Sequence, residues 1–287
     1  MPLPSRLLSP HRSAWLLAAL LACGSAAAQS PAAGSAEALQ QRHDSLGEAL
    51  RNNPFNRPLV LESSENKEQL AGNIYAVVDK PFATVTSALR SPANWCEVLM
   101  LHLNTKHCAP QQAGGATTLA VSVGRKFDQP LDQAQKIAFA FSVPSASERL
   151  LDVRLSAPEG PLSTRDYRIA LEAVPLAGGK TFIHLGYSYA YGTAARLAMQ
   201  TYLATLGRGK NGFTTGGIRG VVERNTMRYY LAIDSFLAAP AVSQRETRAA
   251  AWFDATEQYA AQLHEVERDE YLTMKRSEFA RLSQTPP

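Results

Sequence analysis

The sequence predicts an α+β chain in which a curved antiparallel β-sheet wraps on a long helix near its C-terminal end, with a further helix before the sheet and a helical extension after it. Two observations carry this. The middle of the chain is a succession of stretches that alternate apolar and polar residues, joined by short turn-rich connections, so one face of the resulting meander is greasy. The stretch 218–238 then presents Val222, Met227, Tyr230, Leu231 and Leu237 at helical spacing, a face suited to covering that sheet.

The first residues carry processing signals. Arg6, His11 and Arg12 precede an apolar run over 14–22, and Ala26-Ala27-Ala28 supplies a small-residue cleavage site, so residues 1–28 are expected to be a signal peptide and the mature chain to be exported to the periplasm. The run is well short of the ~20 residues that span a bilayer. Leu20-Leu21-Ala22-Cys23 offers a second outcome, a lipoprotein anchored through Cys23. No other stretch is long and apolar enough to form a transmembrane segment. Removing the leader takes the formal charge from +4 to +2, with 27 basic and 25 acidic residues left, and so near-neutral a surface gives no reason to expect nucleic acid.

Three further regions follow: a tether and helix over 29–56, a ligand-binding domain over 57–240, and an amphipathic helical tail over 241–287. In the first, 36–51 reads as a helix stopped by Asn52-Asn53-Pro54. Residues 58–63 and 70–78 read as a hairpin, and short helices are expected over 82–90 and 93–103. Strands follow over 118–127, 136–143, 149–155, 165–174 and 181–191. A helix is expected over 193–205, a Gly-rich loop over 207–217, and the long helix over 218–238. The tail over 244–282 reads as one charged helix carrying Trp252, Tyr259, Leu263, Val266 and Leu272.

The order of elements resembles the START-related helix-grip superfamily (lipid-transfer domains, polyketide cyclases, birch-pollen-allergen-like proteins). The residues that carry the resemblance are Gly72-Asn73-Ile74-Tyr75-Ala76-Val77-Val78 running into Pro81-Phe82 and Val85, Trp95 after Ser91-Pro92-Ala93-Asn94, and the final helix GVVERNTMRYYLAIDSFL. It spans roughly residues 69–239. It implies a cavity between sheet and helix that takes a hydrophobic small molecule or lipid.

Several motifs fail on inspection. Gly178-Gly179-Lys180-Thr181 lacks the first glycine of a phosphate-binding loop, which would fall at Val174, and lies between two strands. Ser188 sits inside a strand, not on the sharp turn of a nucleophile elbow. His184, Asp166 and Glu172 share the polar parity of their strands, so they are expected to face away from a cavity. No motif asks for a cofactor. Cys96 and Cys108 are expected to pair as a disulfide in an oxidising compartment; a metal site adding His102 and His107 has the wrong spacing.

The candidate ligand-binding residues are therefore Phe139, Phe141, Tyr167, Tyr187 and Tyr189 along the apolar face, with Arg125, on the same parity, meeting a polar headgroup. The loop 207–217 would gate entry, with Phe213 as its plug. Two other functions compete: an envelope enzyme of cyclase or hydrolase type, which needs ionisable groups on the cavity side, and an interaction module that binds a protein partner through an exposed apolar stripe on the C-terminal helix.

Overall fold

A computed structural model describes residues 34–205 and 207–284. The signal peptide expected over residues 1–28, and Cys23 within it, lie outside these residues. Eight strands form one antiparallel sheet: β1 (Leu59–Glu65), β2 (Gln69–Val78), β3 (Thr105–Ala113), β4 (Ala116–Val123), β5 (Gln135–Ala146), β6 (Leu151–Glu159), β7 (Thr164–Leu176) and β8 (Lys180–Tyr191). Their order is β1-β2-β8-β7-β6-β5-β4-β3, so β2 pairs with the last strand and the meander closes back on the initial hairpin.

The alternating residues sort as their period dictates. Ile74, Leu155, Ile169, Leu171, Leu185 and Tyr187 share the buried face. Across it runs α6 (Gly217–Ala238), which buries Val222, Met227, Tyr230, Leu231 and Leu237. Gly72 permits that approach: a Cβ there would collide with Thr226 Oγ1 on α6. Thr226 turns its own hydroxyl onto the Val222 carbonyl at 2.8 Å, so the contact strands no donor. On the other face, α1 (Ala36–Ser45) and α2 (Gly47–Arg51) contribute Leu39, Leu46 and Leu50 to a small cluster with Val174 and Phe182.

Three elements differ from the sequence expectation. The helix expected over 93–103 is α4 (Pro92–Leu99), and the chain after it becomes a strand, β3, absent from the prediction. Its outer half, Ala109-Pro110-Gln111-Gln112, is polar and contains a proline; β3 is the edge strand, where a missing N–H is tolerated. Strand β4 ends at Val123 instead of Phe127, because the Gln129 side chain folds over Gly124 and accepts the Arg125 N–H at 2.8 Å. Phe127 is accordingly exposed.

The tail is not one helix. It forms α7 (Arg245–Glu257), α8 (Ala260–Leu263) and α9 (Arg268–Gln284). The stripe expected to face a partner is turned onto the protein itself. Trp252 and Leu263 are 1% and 2% exposed, the Trp252 indole donates to the Arg228 carbonyl at 3.1 Å, and the Tyr259 hydroxyl donates to the Phe55 carbonyl at 2.8 Å.

Cys96 on α4 and Cys108 on β3 form a disulfide. Among the described residues, no group of three or more potential ligands could hold a metal ion, and no helix is long and apolar enough to cross a membrane.

Candidate functional site: the cavity between sheet and helix

A cavity of about 160 Å³ lies on the inner face of the sheet, against α6. Val121, Ile137 and Phe139 supply its apolar wall from β4 and β5, Tyr167 and Tyr187 come from β7 and β8, and Tyr229 from α6. The rings pack against one another. Phe139 meets Tyr167 edge-on at 6.3 Å between centroids, and Tyr187 meets Tyr229 edge-on at 5.2 Å. The fold is a helix grip.

The remaining wall is polar. It is made by His102 and Asn104 of the segment between α4 and β3, by Thr105 at the start of β3, and by Asn225 of α6. His102 is 6% exposed and its ring stacks on Tyr229 at 5.1 Å. Its Nδ1 accepts the Asn104 backbone N–H at 3.2 Å, which leaves the proton on Nε2. That Nε2 is buried and makes no hydrogen bond of ordinary geometry; the Asn225 amide, whose oxygen accepts from Arg228 at 3.4 Å, stands beside the ring and acts to raise its pKa, against the larger effects. Burial, reinforced by the charges of Arg228 and Lys275, lowers the imidazole pKa well below its ordinary value, so the ring is neutral.

Burial likewise raises the hydroxyls of Tyr187 and Tyr229 far above the ordinary tyrosine range. Tyr167 is raised for the same reason, although Thr164, which shares a hydrogen bond with its hydroxyl at 2.8 Å, acts in the opposite sense. Among the described residues, neither Tyr187 nor Tyr229 has a hydrogen bond to its hydroxyl, and no carboxylate lines the cavity.

The predicted site residues divide. Phe139, Tyr167 and Tyr187 line the cavity. Tyr189 lies beside it, stacked on Tyr167 at 5.2 Å with its hydroxyl directed at Met199 Sδ. Phe141 packs half-buried farther along the same face of β5. Arg125 is exposed beyond the end of β4, its guanidinium over the Phe127 ring at 5.6 Å. It borders an outer hollow of about 530 Å³ that shares Val123 and Pro161 with the inner cavity.

Phe213 is not in the cavity wall. It packs between Phe55 and Tyr259. The loop expected to gate entry is tied down by Glu223, which accepts the N–H groups of Phe213 and Thr214 at 2.6 and 2.8 Å as well as the Thr214 hydroxyl. His184 lies on the outer face, bonded to Glu172 at 2.8 Å and Asn73 at 2.9 Å, and Asp166 is exposed in a bulge between β7 and β8.

Sequence reasoning missed His102 and Tyr229. The sequence around His102 suggests at most a metal ligand, and nothing local marks a turn residue as lining a cavity. Tyr229 neighbours Tyr230, the one of the pair whose spacing matched the apolar stripe.

The chain is similar to several solved structures. One is norcoclaurine synthase from Thalictrum flavum, at 12% identity and a TM-score of 0.37 over 61% of this chain and 98% of that one. Another is human StAR-related lipid transfer protein 5, at 10% identity and 0.36 over 71% and 98%. A third is the Zhui aromatase/cyclase from Streptomyces sp. R1128, at 11% and 0.33 over 67% and 96%. No protein-family model and no curated protein matches the chain.

Proposed function

We propose that this chain is an exported protein that binds or carries a hydrophobic small molecule or lipid in the cavity between its sheet and α6. The observation that carries the reading is a cavity walled by aromatic rings in which the Tyr187 and Tyr229 hydroxyls have no partner among the described residues. Both hydroxyls keep accessible surface on which a polar group can be met, and a mostly apolar ligand with a polar end would satisfy both kinds of wall. A volume near 160 Å³ suits a benzene-sized ring. The adjoining hollow would receive what extends beyond it.

Enzymatic use of the same cavity has less support. Among the described residues its titratable wall groups are tyrosines held protonated and one neutral histidine whose accepting nitrogen, Nδ1, is already taken by the Asn104 N–H, so none offers a free general base. A role as an interaction module loses the exposed stripe it requires, because Trp252 and Leu263 are buried.

The test is a titration with acetophenone followed by amide NMR, beside the variant Val121→Trp, which fills the cavity. Shifts centred on Leu99, Asn104, Val121 and Tyr229 that disappear in the filled variant support the reading. Shifts scattered over the surface, or unchanged by the variant, refute it.

A further inference from the structure

The polar wall of the cavity is held from outside by the C-terminal helix. Every carbonyl from Leu101 to Thr105 is taken. Leu101 accepts the Tyr271 hydroxyl at 2.9 Å. His102 and Thr105 both accept Lys275 Nζ, at 2.8 and 3.1 Å. Leu103 accepts Lys106 Nζ at 3.0 Å, and Asn104 accepts the Gly124 N–H at 2.7 Å. Both lysines meet on Glu278 of α9, at 2.8 and 2.7 Å. Tyr271, Lys106, Lys275 and Glu278 are all essentially inaccessible to solvent. Three charges withdrawn from water are costly, and what this cluster holds in place is the segment that presents His102.

The ring inherits that rigidity. With Nδ1 occupied by the Asn104 N–H, the ring that lines the cavity carries its proton on Nε2, and that N–H makes no hydrogen bond of ordinary geometry. The fixed cations nearby, Arg228, Lys275 and Lys126, disfavour a positively charged occupant. We propose that His102 selects the cavity's occupant, admitting apolar molecules that end in an oxygen acceptor, and that Lys275 is the positioning residue that keeps it in that role. This rests on the cavity reading above and deepens it: a carbonyl or carboxylate oxygen relieves the stranded donor, whereas a hydrocarbon of equal shape leaves it buried and unpaired.

The test uses the full mature chain and a matched pair of probes, acetophenone and ethylbenzene, with affinities read by calorimetry. A long-range proton–nitrogen NMR spectrum of the imidazoles reads the tautomer. The wild-type protein is expected to prefer acetophenone about tenfold and to show His102 as the pure Nε2–H form. In His102→Leu the preference is expected to vanish, acetophenone and ethylbenzene binding with equal affinity. In Lys275→Met, which keeps the aliphatic stem and leaves Glu278 paired with Lys106, the preference is expected to fall below about threefold, with a mixed tautomer signal and ethylbenzene affinity unchanged.

A Lys275→Met protein that keeps both the preference and the pure tautomer overturns the positioning role. A His102→Leu protein that keeps the preference overturns the selection. Should Lys275→Met fail to fold by near-ultraviolet circular dichroism, Tyr271→Phe, which removes only the hydroxyl on the Leu101 carbonyl, is read by the same two criteria. If neither probe binds the wild-type protein, the cavity reading itself fails, while the imidazole spectrum still reports whether Lys275 governs the ring.

Discussion

Glu265 precedes α9 and is 7% exposed at its side chain, yet it is ionised because three cations from three parts of the chain converge on it. Lys126 from the β4–β5 connection lies at 2.6 Å, Lys210 from the Gly-rich loop at 2.8 Å, and Arg228 of α6 at 2.9 Å. Burial alone would raise its pKa; the charges of Arg228 and Lys126 and the hydrogen bonds from the lysines outweigh that and hold it at about 2. An unfolded glutamate titrates near ~4.3. The folded pKa is therefore depressed, and the group contributes stability that is complete above roughly pH 5 and is lost as pH falls toward 2. A depression of that size corresponds to about 3 kcal/mol at neutral pH. Leaving three cations without their shared carboxylate has a cost of the same order. Glu265→Gln is expected to lower the unfolding free energy by about 3 kcal/mol at pH 7 in urea titration, or the melting temperature by roughly 6–12 °C. The gap between wild type and variant is expected to close as pH is lowered from 5 to 2. A variant within about 1 kcal/mol of wild type at pH 7, or a gap that does not change with pH, refutes the assignment of Glu265 as the hub that anchors these elements.

Three further outcomes are expected. Because His102 is kept neutral, protons bind the unfolded chain more readily below its ordinary pKa; wild-type stability is expected to fall more steeply between pH 7 and 5 than that of His102→Leu, read by urea titration at each pH. Replacing Cys96 and Cys108 together by serine releases a loop with a sequence separation of 12 and is expected to cost about 3 kcal/mol in the same assay; because the loop contains His102, acetophenone affinity should fall with it. Tyr187→Ala is expected to abolish acetophenone binding while the protein remains folded, whereas Tyr189→Ala, which removes the stacking partner of Tyr167 from beside the cavity, should act chiefly on the melting temperature. Equal loss of binding in both tyrosine variants would contradict the placement of the cavity wall.

The sheet was legible because a period of two leaves little freedom once one face is buried. Ile169, Leu171, Leu185 and Tyr187 fell on the inner face as their parity required. Tyr167 kept its side although a bulge interrupts the ladder at Asp166. Arg125 departs from its parity because the strand stops at Val123, and the interaction that ends it, Gln129 folding over Gly124, is a side-chain contact without a local pattern. Strand β3 escaped because an edge strand needs neither alternation nor freedom from proline. Phe213 looked like a plug because glycines suggest motion; the Glu223 carboxylate that fixes the loop lies ten residues away, on a helix whose docking the sequence does not state. The same holds for His102, whose orientation is set by carbonyl contacts from a helix about 170 residues distant.

Native mass spectrometry of gently purified protein, beside a solvent-extracted and denatured sample, reads directly whether the cavity has an occupant. An added mass of an oxygen-bearing apolar molecule is expected, lost on denaturation and absent from Val121→Trp. A spectrum of bare protein that also fails to gain mass with excess acetophenone would contradict it.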